Sequence, residues 1–274
     1  MDGLRKERKL ISRVNALLAE NDITVGGEEL SPIMVGAGGA CVYSSDKYVI
    51  KYARLSEMDV YARAACRKEF DFYEVFSESN MDFVPEIIIK TADSDEILIV
   101  MKKYSPVQLN EWDENLQKRA MELCARVNAV DAADFGKLFR AEGEGGDSSK
   151  EDSDTISLSY QDWMNLQRKF PEHIDGGLLG EMYANFNKIN AYADKIRIPK
   201  TLCHGDFHPN NLLKHGEKLI ICDWQGVCMG KGIGDAAFFI SRGEDMGIEI
   251  NRSIVAITNN ATEAANAWIC NSCF

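Results

Sequence analysis

Apolar residues in the first hundred positions recur with two different periods. In residues 2–20 they share one face of a helix, which predicts a helix that packs against the rest of the chain. Farther on, short apolar runs are separated by polar or glycine-containing turns, a pattern typical of strands. The predicted strands cover 32–35, 41–45, 48–53, 84–91 and 96–101. This part of the chain is therefore predicted to form a five-stranded antiparallel sheet.

A second helix is predicted between the third and fourth strands. Ser56 with Asp59 resembles a capping box and opens this helix, which extends through about residue 77. Its candidate inward positions are Met58, Tyr61, Ala65, Phe72 and Phe76. The chain is predicted to leave the sheet at Ser105-Pro106, because proline lacks the backbone N–H that a strand donates to its neighbour. We therefore place an N-terminal lobe at 1–103 and a C-terminal lobe at 104–274.

The C-terminal lobe is predicted to be mostly helical. Apolar residues at helical spacing mark helices over 110–130, 158–170 and 177–196. Residues 142–154 contain six acidic residues and one lysine, which indicates a mobile acidic loop. The apolar runs 212–214 and 218–222 flank His215-Gly216-Glu217 and predict a β-hairpin.

Composition places the protein among soluble globular chains. Its 274 residues are 45% apolar and 27% charged. No apolar run approaches the ~20 residues of a membrane span, and the N-terminus lacks the core of a signal peptide. The eight cysteines are scattered, mostly within apolar runs, which is typical of buried reduced thiols. We expect a cytoplasmic protein with no membrane partner.

The net charge of -12 bears on the class of partner. Nucleic acid is not expected, because phosphate backbones are bound by basic patches. A neutral or cationic small molecule fits the charge better.

The hairpin brings candidate chemistry together. If its turn is centred near residue 217, antiparallel pairing sets Asn211 opposite Asp223, with Cα atoms roughly 5 Å apart. Amide and carboxylate oxygens suit a hard cation such as Mg²⁺ that also binds phosphates and water. Asp206 lies five residues before Asn211, in a loop that Gly205 and Pro209 keep irregular. Its carboxylate could accept a hydroxyl proton while the metal neutralises phosphate charge, as phosphoryl transfer requires.

A glycine loop and a lysine in the N-terminal lobe suit phosphate binding. Between the first two predicted strands, the loop contains Gly36, Gly38 and Gly39, whose backbone N–H groups can approach phosphates without hindrance from a Cβ. Lys51 lies in a mostly apolar strand and needs anionic partners. Val49 shares its face and would form a wall for an adenine ring. A structural glycine turn and a lysine at an exposed strand edge are the alternatives.

These residues carry a resemblance to a known family. His204-Gly205-Asp206 with Asn211, followed by Asp223-Trp224-Gln225, is similar to the motifs of the aminoglycoside phosphotransferase and choline kinase-like superfamily, relatives of the protein kinases. The resemblance implies a protein-kinase-like bilobal α+β fold. Its small N-lobe would hold the five-stranded sheet and one main helix, and its larger C-lobe would be mostly helical with a catalytic hairpin.

The resemblance also implies an activity, an ATP- or GTP-dependent transfer of the γ-phosphate to a hydroxyl of a small molecule. Asp206 would be the catalytic residue, and Asn211 and Asp223 would hold Mg²⁺. The acceptor is left open among aminoglycosides, choline or ethanolamine, sugars, homoserine and sterol-like alcohols, and the acidic charge slightly favours amines.

Further positions acquire roles by the same resemblance. Lys51 would hold the nucleotide phosphates and pair with Glu69, for which Glu74 is the competitor. Met101, Lys102 and Lys103 would form the hinge whose backbone binds adenine. Asp235 corresponds to an aspartate that braces the catalytic loop, although it could also be a plain helix N-cap.

Three other functions are alternatives to this one. A nucleotide-binding scaffold without catalysis would keep the fold but lose the chemistry. A zinc protein could use His204, His208, Cys203, Cys270 and Cys273. A protein kinase would share the mechanism, but His-Gly-Asp and Asp-Trp-Gln favour small-molecule acceptors.

Overall fold

The computed structural model describes residues 2–23, 30–35, 40–76, 81–130, 201–230 and 232–254, with scattered residues between 164 and 184. The α-helices described below are α1 (Asp2–Glu20), α2 (Val60–Phe76), α3 (Glu114–Asn128) and α4 (Ile233–Asp245). The strands are β1 (Ser31–Val35), β2 (Cys41–Ser44), β3 (Tyr48–Arg54), β4 (Ile87–Ala92), β5 (Glu96–Lys102), β6 (Ser105–Pro106), β7 (Thr201–Cys203), β8 (Leu212–His215), β9 (Lys218–Ile221) and β10 (Cys228–Gly230).

The first five strands form one antiparallel sheet in the order β1-β2-β3-β5-β4, which confirms the predicted five-stranded sheet. β3 pairs with β5 along its whole length, from Tyr48 opposite Lys102 to Arg54 opposite Glu96. Successive side chains of β3 point to opposite faces. The two faces of the sheet are therefore covered by different elements.

The helix α1 covers one face of this sheet. Its Val14 and Leu18 are buried against Ile50 of β3, in a cluster that also contains side chains of β2 and β5. The Arg13 guanidinium adds a polar anchor by donating to Glu96 Oε2 through Nε at 2.9 Å and Nη2 at 2.6 Å. Residues 2–20 therefore form the packing helix that the sequence predicts.

The helix α2 covers the other face, but it begins later than predicted. Asp59 Oδ1 accepts from the backbone N–H groups of Tyr61 and Ala62, so Asp59 is the capping residue and the helix starts at Val60. The predicted capping box at Ser56 is wrong, because the backbone N–H of Ser56 donates to Asp95 and residues 55–57 form a 3-10 turn. The predicted inward position Tyr61 is also wrong: its side chain is 84% exposed.

The C-terminal elements pack against the same core as α2. One continuous hydrophobic cluster contains Phe72 and Phe76 of α2, Leu123 of α3 and Phe239 of α4. It also contains Trp224, which lies in the turn after β9. That cluster also contains Ile97, Ile99 and Met101 of β5, so it crosses the predicted lobe boundary. The α+β class predicted from the sequence is confirmed.

The predicted hairpin is present, with a register shifted by one residue. β8 pairs with β9 so that Leu212 lies opposite Ile221 and His215 opposite Lys218. The backbone N–H of Cys222 donates to Asn211 O at 3.0 Å, so Asn211 lies across from Cys222 rather than Asp223. The reason is that the turn is centred between residues 216 and 217, not on residue 217.

Several predictions fall outside the described residues. They are the glycine loop at Gly36, Gly38 and Gly39, the acidic loop at 142–154, and most of the helices at 158–170 and 177–196. Within the part of the chain that the structure describes, no helix has both the length and the apolarity needed to cross a membrane.

Candidate active site

An ion cluster joins the N-terminal sheet to the end of the hairpin. Lys51 Nζ on β3 lies 2.8 Å and 3.0 Å from the two carboxylate oxygens of Glu69 on α2. The same Nζ lies 2.7 Å from Asp223 Oδ1, which follows β9. Glu69, not Glu74, is therefore the partner of Lys51, since Glu74 contacts Lys90 and its side chain is 64% exposed.

The cluster contains one positive charge and two negative charges. Burial by itself would lower the pKa of Lys51, but attraction to Glu69 and Asp223 outweighs it and raises the pKa above its ordinary value. Tyr73 donates its hydroxyl to Glu69 Oε1 at 3.4 Å, and burial followed by the Glu69 charge raises the pKa of Tyr73 well above its ordinary range. One ammonium thus faces two carboxylates, and the site carries an excess negative charge that favours a cation.

The backbone presents Asp223 to the site in an uncommon conformation. Asp223 has φ 65° and ψ 63°, in the left-handed region. The next residue, Trp224, is fully buried and stacks on Phe72 of α2, with ring centroids 4.1 Å apart and planes 16° from parallel. This packing fixes the position of the turn, so that Asp223 points outward with its side chain 40% exposed.

The loop before the hairpin holds a second carboxylate. Asn211 Nδ2 donates to Asp206 O at 2.9 Å and to Asp206 Oδ2 at 3.1 Å. Contact with His208 lowers the pKa of Asp206, and the Asn211 hydrogen bond acts in the same direction against the effect of burial. Asp206 is therefore ionised at neutral pH and can accept a proton.

A buried aspartate braces this loop from α4. Asp235 accepts the backbone N–H of His204 at 2.7 Å and that of Gly205 at 2.9 Å. Burial raises its pKa to about 6, although the hydrogen bonds from His204, Gly205 and Asn128 oppose that rise. Asp235 is not the N-cap of α4, because the helix starts at Ile233 and Gly232 occupies the cap position.

Gly205 sits where no other residue fits. Its φ is +78°, and a Cβ placed on it would lie 2.0 Å from the backbone oxygen of Gly226. Gly226 belongs to the 3-10 turn that follows Asp223. The loops that carry Asp206 and Asp223 are therefore in direct backbone contact.

His204 is a structural residue of the loop. Its Nδ1 accepts from the backbone N–H of Asp206 at 3.2 Å, so the ring proton lies on Nε2, which is 3.0 Å from Cys222 O. Burial lowers the pKa of His204 to about 4, which keeps the ring neutral at physiological pH. With both nitrogens bonded inside the protein, His204 is unsuited to binding zinc; Cys270 and Cys273 lie outside the described residues.

The comparisons with known proteins agree with this geometry. The sequence model described as the phosphotransferase enzyme family matches residues 40–257. The chain belongs to this family. None of the curated proteins compared with it matches its sequence.

Solved structures show the fold of the phosphotransferase. Wild-type aminoglycoside 2'-phosphotransferase-IIIa in complex with GDP has a TM-score of 0.67 at 11% identity, covering 94% of this chain and 87% of that one. ADP-bound aminoglycoside phosphotransferase APH(2'')-Ib has a TM-score of 0.61 at 14% identity, covering 93% and 84%. An amicoumacin kinase with AMP-PNP and Ca²⁺ gives 0.53 at 13%, covering 92% and 77%. The bilobal kinase-like fold expected from the sequence is confirmed.

The residues predicted to contact the nucleotide base lie on β3 and at the end of β5. Val49 lies opposite Met101, which is buried in the core. The backbone N–H of Lys102 already donates to Glu86 O at 2.9 Å, and that of Lys103 to Lys47 O at 2.8 Å. These two N–H groups are occupied, so any base contact at these residues would use carbonyl groups or side chains.

The donor set of the phosphotransferase suits a hard cation. Because Asn211 uses its Nδ2 on Asp206, its side-chain oxygen faces away from that bond, and Asp223 supplies a half-exposed carboxylate. Among the described residues no three His, Cys, Asp or Glu side chains form a metal cluster. Two protein oxygens fit Mg²⁺, which takes its other ligands from phosphates and water.

Sequence reasoning missed three residues that support this site. Tyr73 contacts Glu69, Gly226 contacts Gly205, and Asn128 donates to Leu202 O at 2.8 Å beside Asp235. Asn128 and Gly226 act on residues distant in the chain, so no local pattern in the sequence indicates their roles.

Proposed function

We propose that this phosphotransferase moves the γ-phosphate of ATP or GTP to a hydroxyl of a small molecule, with Asp206 as the catalytic base. The observation that carries the proposal is the convergence of the Glu69 and Asp223 carboxylates within 3.0 Å of the Lys51 ammonium. The turn that carries Asp223 is also in backbone contact with the loop of the Asp206–Asn211 pair. Phosphoryl transfer needs cationic groups on the phosphates and a base at the acceptor.

Asp206 is suited to remove the acceptor proton. Its Oδ2 is held by Asn211, and no described residue hydrogen-bonds its Oδ1. The side chain is 40% exposed, so an acceptor hydroxyl can reach it. Its lowered pKa keeps it ionised, and it would receive the proton as the hydroxyl oxygen attacks the phosphate.

Lys51 and the oxygens of Asn211 and Asp223 would hold the nucleotide phosphates and the metal. Mg²⁺, when bound, neutralises the charge that develops on the transferred phosphoryl group. Glu69 keeps Lys51 on the sheet face that Val49 shares, so the ammonium is positioned before the nucleotide arrives. We further propose that the N-terminal residues Gly36, Gly38 and Gly39 contact the phosphates, and that Val49 and Met101 contact the base.

The acceptor is proposed to be an amine-bearing small molecule with a free hydroxyl. Three similar solved structures are complexes of other aminoglycoside phosphotransferases with streptomycin and ATP, with gentamicin, and with kanamycin and GDP. The net charge of -12 on this chain supports a cationic acceptor in the same sense.

A transfer assay with a panel of acceptors tests the proposal. ATP and GTP labelled in the γ-phosphate would be incubated with the enzyme and aminoglycosides, choline, ethanolamine, sugars or homoserine, with and without Mg²⁺. We expect one acceptor class to be labelled, only with Mg²⁺, and Asp223→Ala to lose this labelling. Nucleotide consumption that is equal in the parent and Asp223→Ala would contradict the proposed metal site.

A scaffold without catalysis is the second candidate. The observation that favours it is the 2.7 Å hydrogen bond between Lys51 Nζ and Asp223 Oδ1. In this bond the lysine proposed to bind phosphate is paired with the aspartate proposed to bind the metal. Nucleotide binding without consumption for any acceptor would support the scaffold.

A further inference from the structure

The orientation of Asp206 rests on two side chains, and the second one is His208. His208 Nε2 lies 3.5 Å from Asp206 Oδ2, the same oxygen that Asn211 Nδ2 approaches at 3.1 Å. Oδ1 receives no hydrogen bond from a described residue. Both donors therefore contact the same oxygen of a side chain that is 40% exposed.

The two nitrogens of the His208 ring are in unequal surroundings. Nδ1 is buried and, among the described residues, has no hydrogen-bond partner. A proton on Nδ1 would be a buried donor without an acceptor, which is costly, whereas a proton on Nε2 points at a carboxylate. The hydrogen-bond network thus assigns the proton to Nε2, facing Asp206.

The ring is also held in place. Because Pro209 follows, the backbone of His208 is restricted to an extended conformation, and it has φ -147° and ψ 165°. The ring packs beside Phe238 of α4, with centroids 6.0 Å apart, and only 12% of the side chain is exposed. A fixed ring can hold Asp206 at little entropic cost.

We propose that His208 is a positioning residue that fixes the Asp206 carboxylate for proton abstraction; this inference rests on the proposed function. Asn211 alone would hold Oδ2 by one bond, and the carboxylate could rotate about it. Loss of His208 should therefore slow transfer without weakening nucleotide binding, because His208 forms no hydrogen bond or ion pair with Lys51 or Asp223.

The length of the replacement side chain provides the test. The amide nitrogen of glutamine can occupy the place of Nε2, whereas that of asparagine reaches only the place of Nδ1. We expect His208→Ala and His208→Asn to lower kcat by about tenfold or more with KM for the nucleotide unchanged, since small displacements of a catalytic group are costly. His208→Gln should keep kcat within about threefold of the parent, and the exposed His215→Ala is the matched control.

The outcomes separate this inference from the proposed function. A parent protein that transfers no phosphate would overturn both. A parent that is active, with His208→Ala equally active, would overturn only the role of His208. Equal losses in the alanine, asparagine and glutamine variants, with a lowered melting temperature, would show that the ring is merely packed and would also overturn it.

A second inference comes from a pair of cysteines. In the two-stranded ladder of β7 and β10, Cys203 lies directly opposite Cys228. Directly opposed residues have Cα atoms about 4.5–5.5 Å apart, inside the range that disulfides span. The Cys203 thiol hydrogen-bonds the Cys228 side chain, and both sulfurs face Gly230, within 3.2 Å and 3.6 Å of where its Cβ would be.

The pair lies at the base of both loops of the site. Cys203 directly precedes His204 and the loop of Asp206, and Cys228 follows the turn of Asp223. The two loops are already in backbone contact through Gly205 and Gly226. A bond between the two sulfurs would therefore draw together the strands that position Asp206 and Asp223.

We propose that Cys203 and Cys228 form a modification site that small-molecule disulfides oxidise, and that the resulting disulfide slows phosphoryl transfer. Cys228, the more exposed of the two, attacks the small-molecule disulfide and releases one thiol. Cys203 then attacks the Cys228 sulfur of the mixed disulfide and releases the second thiol. The protein pair loses two protons and two electrons, and the small-molecule disulfide is reduced to two thiols.

The reaction should be slow and reversible. The hydrogen bond to Cys228, burial and the charge of Asp235 raise the pKa of the Cys203 thiol, which makes its thiolate scarce. Dithiothreitol should restore activity, because it reduces the disulfide by the same exchange.

Peptide mapping with an activity assay tests this second inference. The parent protein, Cys228→Ser and the control Cys41→Ser would each be incubated with glutathione disulfide, then digested without reduction. We expect a Cys203–Cys228 peptide and at least about a twofold loss of activity in the parent and Cys41→Ser, and neither in Cys228→Ser. Absence of that peptide, or the same loss of activity in Cys228→Ser, would overturn it.

Discussion

Lys51 lies between the buried carboxylate of Glu69 and the half-exposed carboxylate of Asp223. This difference in exposure suggests different roles for the two carboxylates. The side chain of Glu69 is 2% exposed and that of Asp223 is 40% exposed. Removing the charge of Glu69 would leave Lys51 held only by Asp223, the residue proposed to bind the metal. Under the proposed function, Glu69 would therefore keep Lys51 in place when Asp223 binds the metal.

The two glutamates of α2 provide a matched test of this division. We expect Glu69→Gln to lower the rate of transfer at least about tenfold and to weaken nucleotide binding, because Lys51 loses its fixed partner. Glu74→Gln should stay within about 0.5 kcal/mol of the parent in stability, as exposed substitutions usually do. Nucleotide titration measures binding and steady-state kinetics measure the transfer rate of each variant. Equal effects of the two substitutions would contradict the role given to Glu69.

Gly205 and Gly216 offer a second matched pair. Both have positive φ, but a Cβ on Gly205 would clash with Gly226 O, whereas one on Gly216 would meet nothing within 4 Å. We expect Gly205→Ala to destabilise the protein by about 3 kcal/mol or more, from clash and strain together. Gly216→Ala should cost about 1 kcal/mol, from strain alone. Urea unfolding measures the free energy of unfolding of both variants. Similar losses of stability in the two would contradict the close contact between Gly205 and Gly226.

The sequence predicted some residues of the site and not others for a physical reason. Lys51, Asp206, Asn211 and Asp223 stand out because charges and amides beside apolar strands need partners. The residue predicted to lie opposite Asn211 was wrong by one position, because the register of the hairpin depends on its turn and not on the apolar runs. Asn128 could not be found, because its partners lie in other elements. Tyr73 lies one turn from Glu69 on the same helix, but its part in the site depends on Lys51 of β3, which the helical pattern does not indicate.

At the scale of the element, α1 is fixed to the sheet by a polar contact within an apolar interface. Glu96 accepts from Arg13, and Tyr52 also donates its hydroxyl to it. The Arg13 hydrogen bond is the main cause that lowers the pKa of Glu96 to about 2, against the effect of burial. The amphipathic pattern predicted the helix, but it contained no sign of which charge the helix would use.

This contact predicts a specific response to acid. The pKa of Glu96 is lower in the folded protein than its ordinary value of 4.5, so its stabilising contribution is present above about pH 4.5 and is lost as the pH falls towards about 2. We expect Glu96→Gln to lower the free energy of unfolding at neutral pH and to reduce its loss between those pH values.

Urea unfolding at several pH values measures this response. Glu86→Gln is the control, because Glu86 pairs with Lys102 at a site where its side chain is 59% exposed. It should leave the acid dependence unchanged. A dependence in Glu96→Gln as steep as that of the parent would show that α1 is held by its apolar face alone.

At the scale of the whole molecule, the fold serves to bring two loops to one sheet face. The buried Trp224 stacks on Phe72 and lies 4.6 Å from the His204 ring, so α2, the Asp223 turn and the Asp206 loop share one aromatic core. The order of the elements was predictable from periodicity and the site from its motif. The contact between the loops was not, because it is made by backbone atoms of Gly205 and Gly226 that leave no pattern in the sequence.

The most direct test separates nucleotide binding from transfer in one variant. Asp206→Asn keeps the size of the side chain but removes the base, and Lys51, Asn211 and Asp223 are untouched. With Mg²⁺ and nucleotide at a hundredfold excess over Kd, the variant should gain the same stability as the parent, about 2.7 kcal/mol. Its transfer rate should fall by about 10²–10⁴. Transfer at nearly the parent rate would contradict the role of Asp206, and loss of the nucleotide-dependent stability would contradict the assignment of binding to the other three residues.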